Sequence, residues 1–191
     1  MRIETYIKNS TMELIKSGVT VNFESSRKTL GCSGYFLAES SGPIFSVATK
    51  SPTEWGTIFL HEFCHFKQWM EKTDDCVWTQ SEKVDDIWSW ECGELELSKR
   101  KLRKGILATQ RLEQDCDVRA VNEIVKFNLP IDIDDYIRAN NAYVWFYSVM
   151  EKNRRWCLKS PYVFEEILDL MPTKFIPEEK FSKPPKGFEE L

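Results

Sequence analysis

A chain of 191 residues and 22.5 kDa supports one domain with a substantial core, or two very small ones. Its apolar fraction of 42%, charged fraction of 29% and aromatic fraction of 13% are those of a globular protein and exclude intrinsic disorder. With 26 basic against 30 acidic residues, a net charge of −4, it lacks the basic excess of a general nucleic-acid binder.

Glu4 and Lys8 interrupt the stretch where a secretion signal would need unbroken apolar residues. The most apolar segment, 142–150, is too short to span a bilayer and contains Ser148. Six cysteines form no CxxC pair, so they read as reduced thiols of a cytoplasmic protein with no membrane partner.

In chain order, Ile3, Ile7 and Leu14, with Tyr6 and Ile15 beside them, predict an amphipathic helix over 3–16 that stops at Gly18. Residues 19–23, 34–37 and 43–49 predict three short strands of a small antiparallel or mixed sheet. Ser51-Pro52-Thr53-Glu54 is a capping box with proline in the first helical position, opening a helix that runs to about Glu71. Thr73-Asp74-Asp75 then breaks it. The basic run 98–104 reads as a solvated helix face, leading into a long helix from about Lys101 to Phe127 that Asn128-Leu129-Pro130 ends. Asp132 caps a further helix from Ile133 to about Arg154, and a short one follows over 162–170. The fold class is therefore α+β and mostly helical. Residues 1–171 read as a single domain and 172–191 as an extended, proline-containing tail.

Chemistry concentrates in His61-Glu62-Phe63-Cys64-His65, which matches HExxH. Side chains four apart share one helix face, so both imidazoles can reach one metal ion. Glu62, one residue on, can reach a water on that metal rather than the metal itself, as a general base must. Chance places the chain's only two histidines four apart about once in a hundred arrangements and a Glu in that slot about once in ten, so the joint accident is roughly one in a thousand. Leu60, Phe63 and Phe66 embed the motif in a helix that must be buried.

Catalytic zinc with two His needs a third protein ligand and one open position. With no other His present, that ligand is a carboxylate or a thiolate. Glu113, Asp117 and Ala120 recur at i, i+4 and i+7: Glu113 as ligand, Asp117 as acceptor for an imidazole N–H, Ala120 as a point of close helix approach. Glu82 and Asp86, with Ser89 on the same stripe, form a competing set. Cys32 would make a Cys/His/His site like that of peptide deformylases, without the glutamate and glycine-rich segment of that family. Cys64 and Cys116 read as small buried residues.

HExxH followed by Glu113-x-x-x-Asp117-x-x-Ala120 resembles the gluzincin pattern of zinc metallopeptidases, in particular the short single-domain ImmA/IrrE-like and other phage and bacterial peptidases. The resemblance covers the strand 44–49, the motif helix and the Glu113 helix, and extends more loosely to 136–143. It implies zinc held by His61, His65 and Glu113, with Glu62 as catalytic base, Asp117 behind the ligands, and a peptide or protein as substrate, in the host cytoplasm for a phage-encoded member. Lys67, where such helices continue apolar, and the tryptophan-containing insert between the two helices are departures. Tyr143 and Tyr147 are candidate oxyanion donors, and strand 44–49 is the candidate sheet edge for gripping an extended substrate backbone. Two other classes fit the residues: a zinc-containing regulatory module with little turnover, and a metal-free helical interaction protein.

Overall fold

The computed structural model describes residues 1–191 except 27, 29–30, 40, 51–54, 72–76, 157–160 and 189–191. The expected capping box at 51–54 and the break at 73–75 lie outside the described residues. The fold is α+β, mostly helical, with a small mixed sheet. The chain gathers into two compact units, Met1–Lys72 with Arg119–Ile131, and Thr73–Val118 with Asp132–Leu191. Among the described residues no helix is long and apolar enough to cross a membrane.

The first unit opens with α1 (Ile3–Lys16), which buries Tyr6, Ile7 and Leu14 and ends before Gly18 at φ +79°, a left-handed residue that favours glycine. Three strands follow, β1 (Thr20–Glu24), β2 (Gly34–Glu39) and β3 (Gly42–Ala48), in the order β1-β3-β2. β1 runs parallel to β3 with Thr20 opposite Ile44, and β2 runs antiparallel with Gly34 opposite Val47. The sheet is thus the mixed alternative. A tight turn after β1 would have made a hairpin with β2, but the link 25–33 is long enough to carry the chain past β3's place in the sheet.

This order corrects one expectation. The strand before the motif is the central strand, not an edge. Both of its sides are paired, and Phe45, Ser46, Val47 and Ala48 are all buried. The edges are β1 and β2.

α2 (Trp55–Glu71) lies on this sheet, packing against β2 and β3. Phe45 and Phe59 are fully buried with ring centroids 4.9 Å apart; burial of such a side chain contributes about 1.5–3 kcal/mol. Lys67, the polar departure on α2, places its ammonium 2.8 Å from Glu123 and 5.0 Å from the Phe63 ring centre. Glu123 also accepts from the buried Tyr6 hydroxyl at 2.9 Å. Burial, with the charges near it, pushes that hydroxyl's pKa far above the ordinary tyrosine range.

The second unit is helical: α3 (Ser81–Glu91), the first two-thirds of α4 (Lys99–Phe127), α5 (Ile133–Asn153) and the single-turn α6 (Glu165–Leu168). The basic run at the start of α4 is solvent-exposed, as its composition indicates. Asp132 caps α5 by accepting the Asp135 N–H at 3.0 Å, and Asn128 adopts φ +47° where α4 ends. Gly105 lets α3 approach α4 closely, since a Cβ there would lie 2.7 Å from Ile87 Cγ1. The expected helix over 162–170 is a 3-10 turn, Pro161–Val163, and then α6, separated by the extended backbone of Phe164.

The tail from Pro172 is docked. Ile176, Phe181 and Phe188 are buried in a cluster with Trp145 and Ile167. Asn141 donates to the Pro172 and Lys174 carbonyls and accepts the Ile176 N–H at 2.8, 3.0 and 3.2 Å. Gln110 and Ser148 both donate to the Phe181 carbonyl, and Trp145 Nε1 donates to the Lys180 carbonyl at 2.8 Å.

Candidate metal centre

On α2 the apolar residues Phe59, Phe63 and Phe66 drive burial, and the residues between them are carried inward. His61, His65 and Gln68 recur at i, i+4 and i+7 and form one stripe. His65 is 7% exposed, Glu62 8% and Gln68 0%, while His61 is half-buried. The two imidazoles meet through their Nε2 atoms, 3.1 Å apart, with ring planes at 89°. His65 Nδ1 lies 2.8 Å from Gln68 Oε1. An amide oxygen only accepts, so His65 carries a proton on Nδ1, and in the neutral imidazole Nε2 then keeps its lone pair.

This geometry fits a tetrahedral metal ion. Two nitrogens each about 2.0–2.1 Å from zinc stand about 3.3 Å apart, close to the separation of the two Nε2 atoms. Glu62 lies on the neighbouring stripe, against β2: a Cβ on Gly34 would stand 3.2 Å from Glu62 Cγ and 2.8 Å from Ile58 Cγ2. Only glycine permits that approach. Cys32, exposed in the loop before β2, donates to the Gly34 carbonyl at 3.4 Å. Its thiol is pushed above the ordinary range by desolvation first and by the Glu62 charge second. Among the described residues Cys32 belongs to no metal-capable group.

The α4 candidates lie in the other unit. Glu113 and Asp117 are 8% and 4% exposed, Cys116 is fully buried, and Ala120, past the unit boundary, is fully buried too. The Glu113–Asp117–Ala120 stripe is therefore an inward face. Asp117 accepts from the Tyr136 hydroxyl at 2.5 Å and from the Asn140 amide, both on α5. The competing pair Glu82 and Asp86 is exposed on α3. Tyr147 is fully buried, and its hydroxyl donates to that of the half-buried Tyr143 at 3.1 Å. Both rings pack with Trp156.

Two residues gain weight that sequence reasoning did not give them. Gln68 was legible as the next position on the motif stripe. Cys116, a small core residue by sequence, carries a buried thiol, a donor type that can serve a metal ion. Comparison with protein-family models, with curated proteins and with solved structures finds no match to this chain.

Proposed function

We propose that this chain is a zinc-dependent metallopeptidase. The observation that carries the reading is the pair of Nε2 atoms 3.1 Å apart on a buried helix, with the Glu62 carboxylate one residue on. His61 and His65 would hold the ion, with a third ligand from α4. Glu113 is the expected one. Cys116, whose thiol is a ligand type suited to zinc, is the alternative. Zinc would supply Lewis acidity, polarising the scissile carbonyl and acidifying water.

Glu62 takes a proton from the attacking water and delivers it to the leaving amine nitrogen, so one side chain serves both halves of the hydrolysis. Its burial against β2 limits the places the carboxylate can take. β2, an edge strand flush against Glu62, is the element that would pair with an extended peptide backbone. Tyr143 remains the candidate oxyanion donor. The resemblance to short gluzincins points the same way, with a peptide substrate and a cytoplasmic setting.

Elemental analysis of protein purified without chelator tests the site. About one zinc per chain is expected, lost in His65→Ala. Glu113→Ala and Cys116→Ser, side by side, identify the third ligand as the variant that loses metal. Glu62→Gln should keep zinc and lose peptide hydrolysis. A wild-type chain without zinc after reconstitution overturns the reading. Zinc without turnover on any peptide library turns it into a regulatory module.

A further inference from the structure

We infer that Gln68 is the positioning residue of this centre: its amide oxygen locks His65 in the Nδ1–H tautomer and thereby turns the Nε2 lone pair toward the ion. The inference rests on the zinc reading above and concerns a residue outside HExxH.

The physical case starts from burial. Gln68 is fully buried in the last turn of α2, where a primary amide costs free energy unless it is hydrogen-bonded. Long side chains on a helix lean toward its N-terminus, so Gln68 reaches back over the preceding turn to His65, three residues earlier. The contact is 2.8 Å, between Oε1 and Nδ1. A neutral imidazole has one proton. Fixing it on Nδ1 leaves Nε2 as the only basic nitrogen of His65, and that atom faces His61 Nε2. An isolated imidazole divides its proton between the two nitrogens, and every molecule in the other tautomer must rearrange before it can bind metal. The buried amide removes that step. Partners of this kind behind metal ligands are typically worth 10–100-fold in affinity. A glutamine that merely filled the core would be replaceable by any apolar chain of its length.

Gln68→Met keeps length and volume and removes the acceptor; Gln68→Glu restores an acceptor. Zinc affinity is measured by competition with a chromophoric chelator. Separately, long-range ¹⁵N–¹H spectra of the metal-free protein read the imidazole tautomers, with only two His in the chain to assign. Gln68→Met should weaken zinc by about 10–100-fold and turn His65 into a tautomer mixture, whereas Gln68→Glu should retain both zinc and the Nδ1–H form. Unchanged affinity in Gln68→Met, or an Nε2–H His65 in the metal-free wild type, overturns the inference. Absence of zinc binding by wild type overturns the zinc reading instead, and the tautomer spectra still decide whether Gln68 holds His65.

Discussion

The motif stripe of the first unit and the tail-docking residues of the second bury polar side chains in different ways. In the second, Gln110, Asn141 and Ser148 spend their hydrogen bonds on peptide groups: carbonyls of Val144, Pro172, Lys174 and Phe181, and the N–H of Ile176. In the first, along the motif stripe of α2, side chains face side chains: His61 to His65 and His65 to Gln68. Bonds to a peptide group tie a segment of chain in place, so they contribute to folding. Two imidazole nitrogens converging on one point repel unless a proton or a cation lies between them, so they contribute a site. On these two faces, buried polar atoms serve structure or chemistry according to what they face.

The contrast can be broken from either side. The largest expected effect is on turnover: Glu62→Gln, nearly isosteric, should lower peptide hydrolysis by about 10²–10⁴-fold while the urea midpoint stays where it was. Asn141→Leu should do the reverse. It strips three hydrogen bonds from the docked tail, and a loss of about 3 kcal/mol in denaturant titrations should accompany proteolytic cutting near 172–181, with zinc content unchanged. Lys67→Met sharpens the comparison within the first unit. It leaves the buried Glu123 without its cation, at a cost of about 1–2 kcal/mol because the pair is part-solvated, again by denaturant titration.

The smallest effect concerns Arg111 and Glu178, a two-pronged pair joining α4 to the tail. Hydrogen bonds from Arg111 hold the Glu178 carboxyl below the ordinary carboxylate range. A depressed folded-state pKa gives stability that is present above the unfolded value and lost as pH falls through the folded one. Both side chains are more than a third exposed, so the contribution stays under about 1 kcal/mol. Arg111→Ala should remove it at neutral pH and change nothing in strong acid, as urea titrations at the two pH values would show.

Local signals read well. The stop of α1 at Gly18, the Asp132 cap and the end of α4 at Asn128 depend on a few neighbouring residues and stand where the sequence puts them. So does the meeting of His61 and His65, which needs only helical periodicity. Strand order is not local: it depends on what the link 25–33 allows, and an expectation built on adjacency placed the wrong strand at the edge. A signal was available, because the run Ile44-Phe45-Ser46-Val47-Ala48 has the near-continuous apolar character of a strand buried on both faces. The tail offered only scattered apolar residues between prolines. Its docking depends on amides at Gln110, Gln114 and Asn141, more than thirty residues away along the chain in the case of Ile176. Gln68 escaped notice because glutamine inside a helix usually faces water.

The division of the chain has a consequence for how the protein is made. The half that carries HExxH is assembled from 1–72 and from 119–131, so a ribosome releases its sheet and motif helix well before the segment that completes them. Until α4 emerges, Tyr6 and Lys67 have no Glu123 to bind, and the aromatic faces of α1 and α2 stand open to water and to chaperones. A fragment ending at residue 72 would share that state permanently. Neither half can be expressed as one uninterrupted piece of the gene, and a functional dissection of this protein has to proceed by point substitution rather than by truncation.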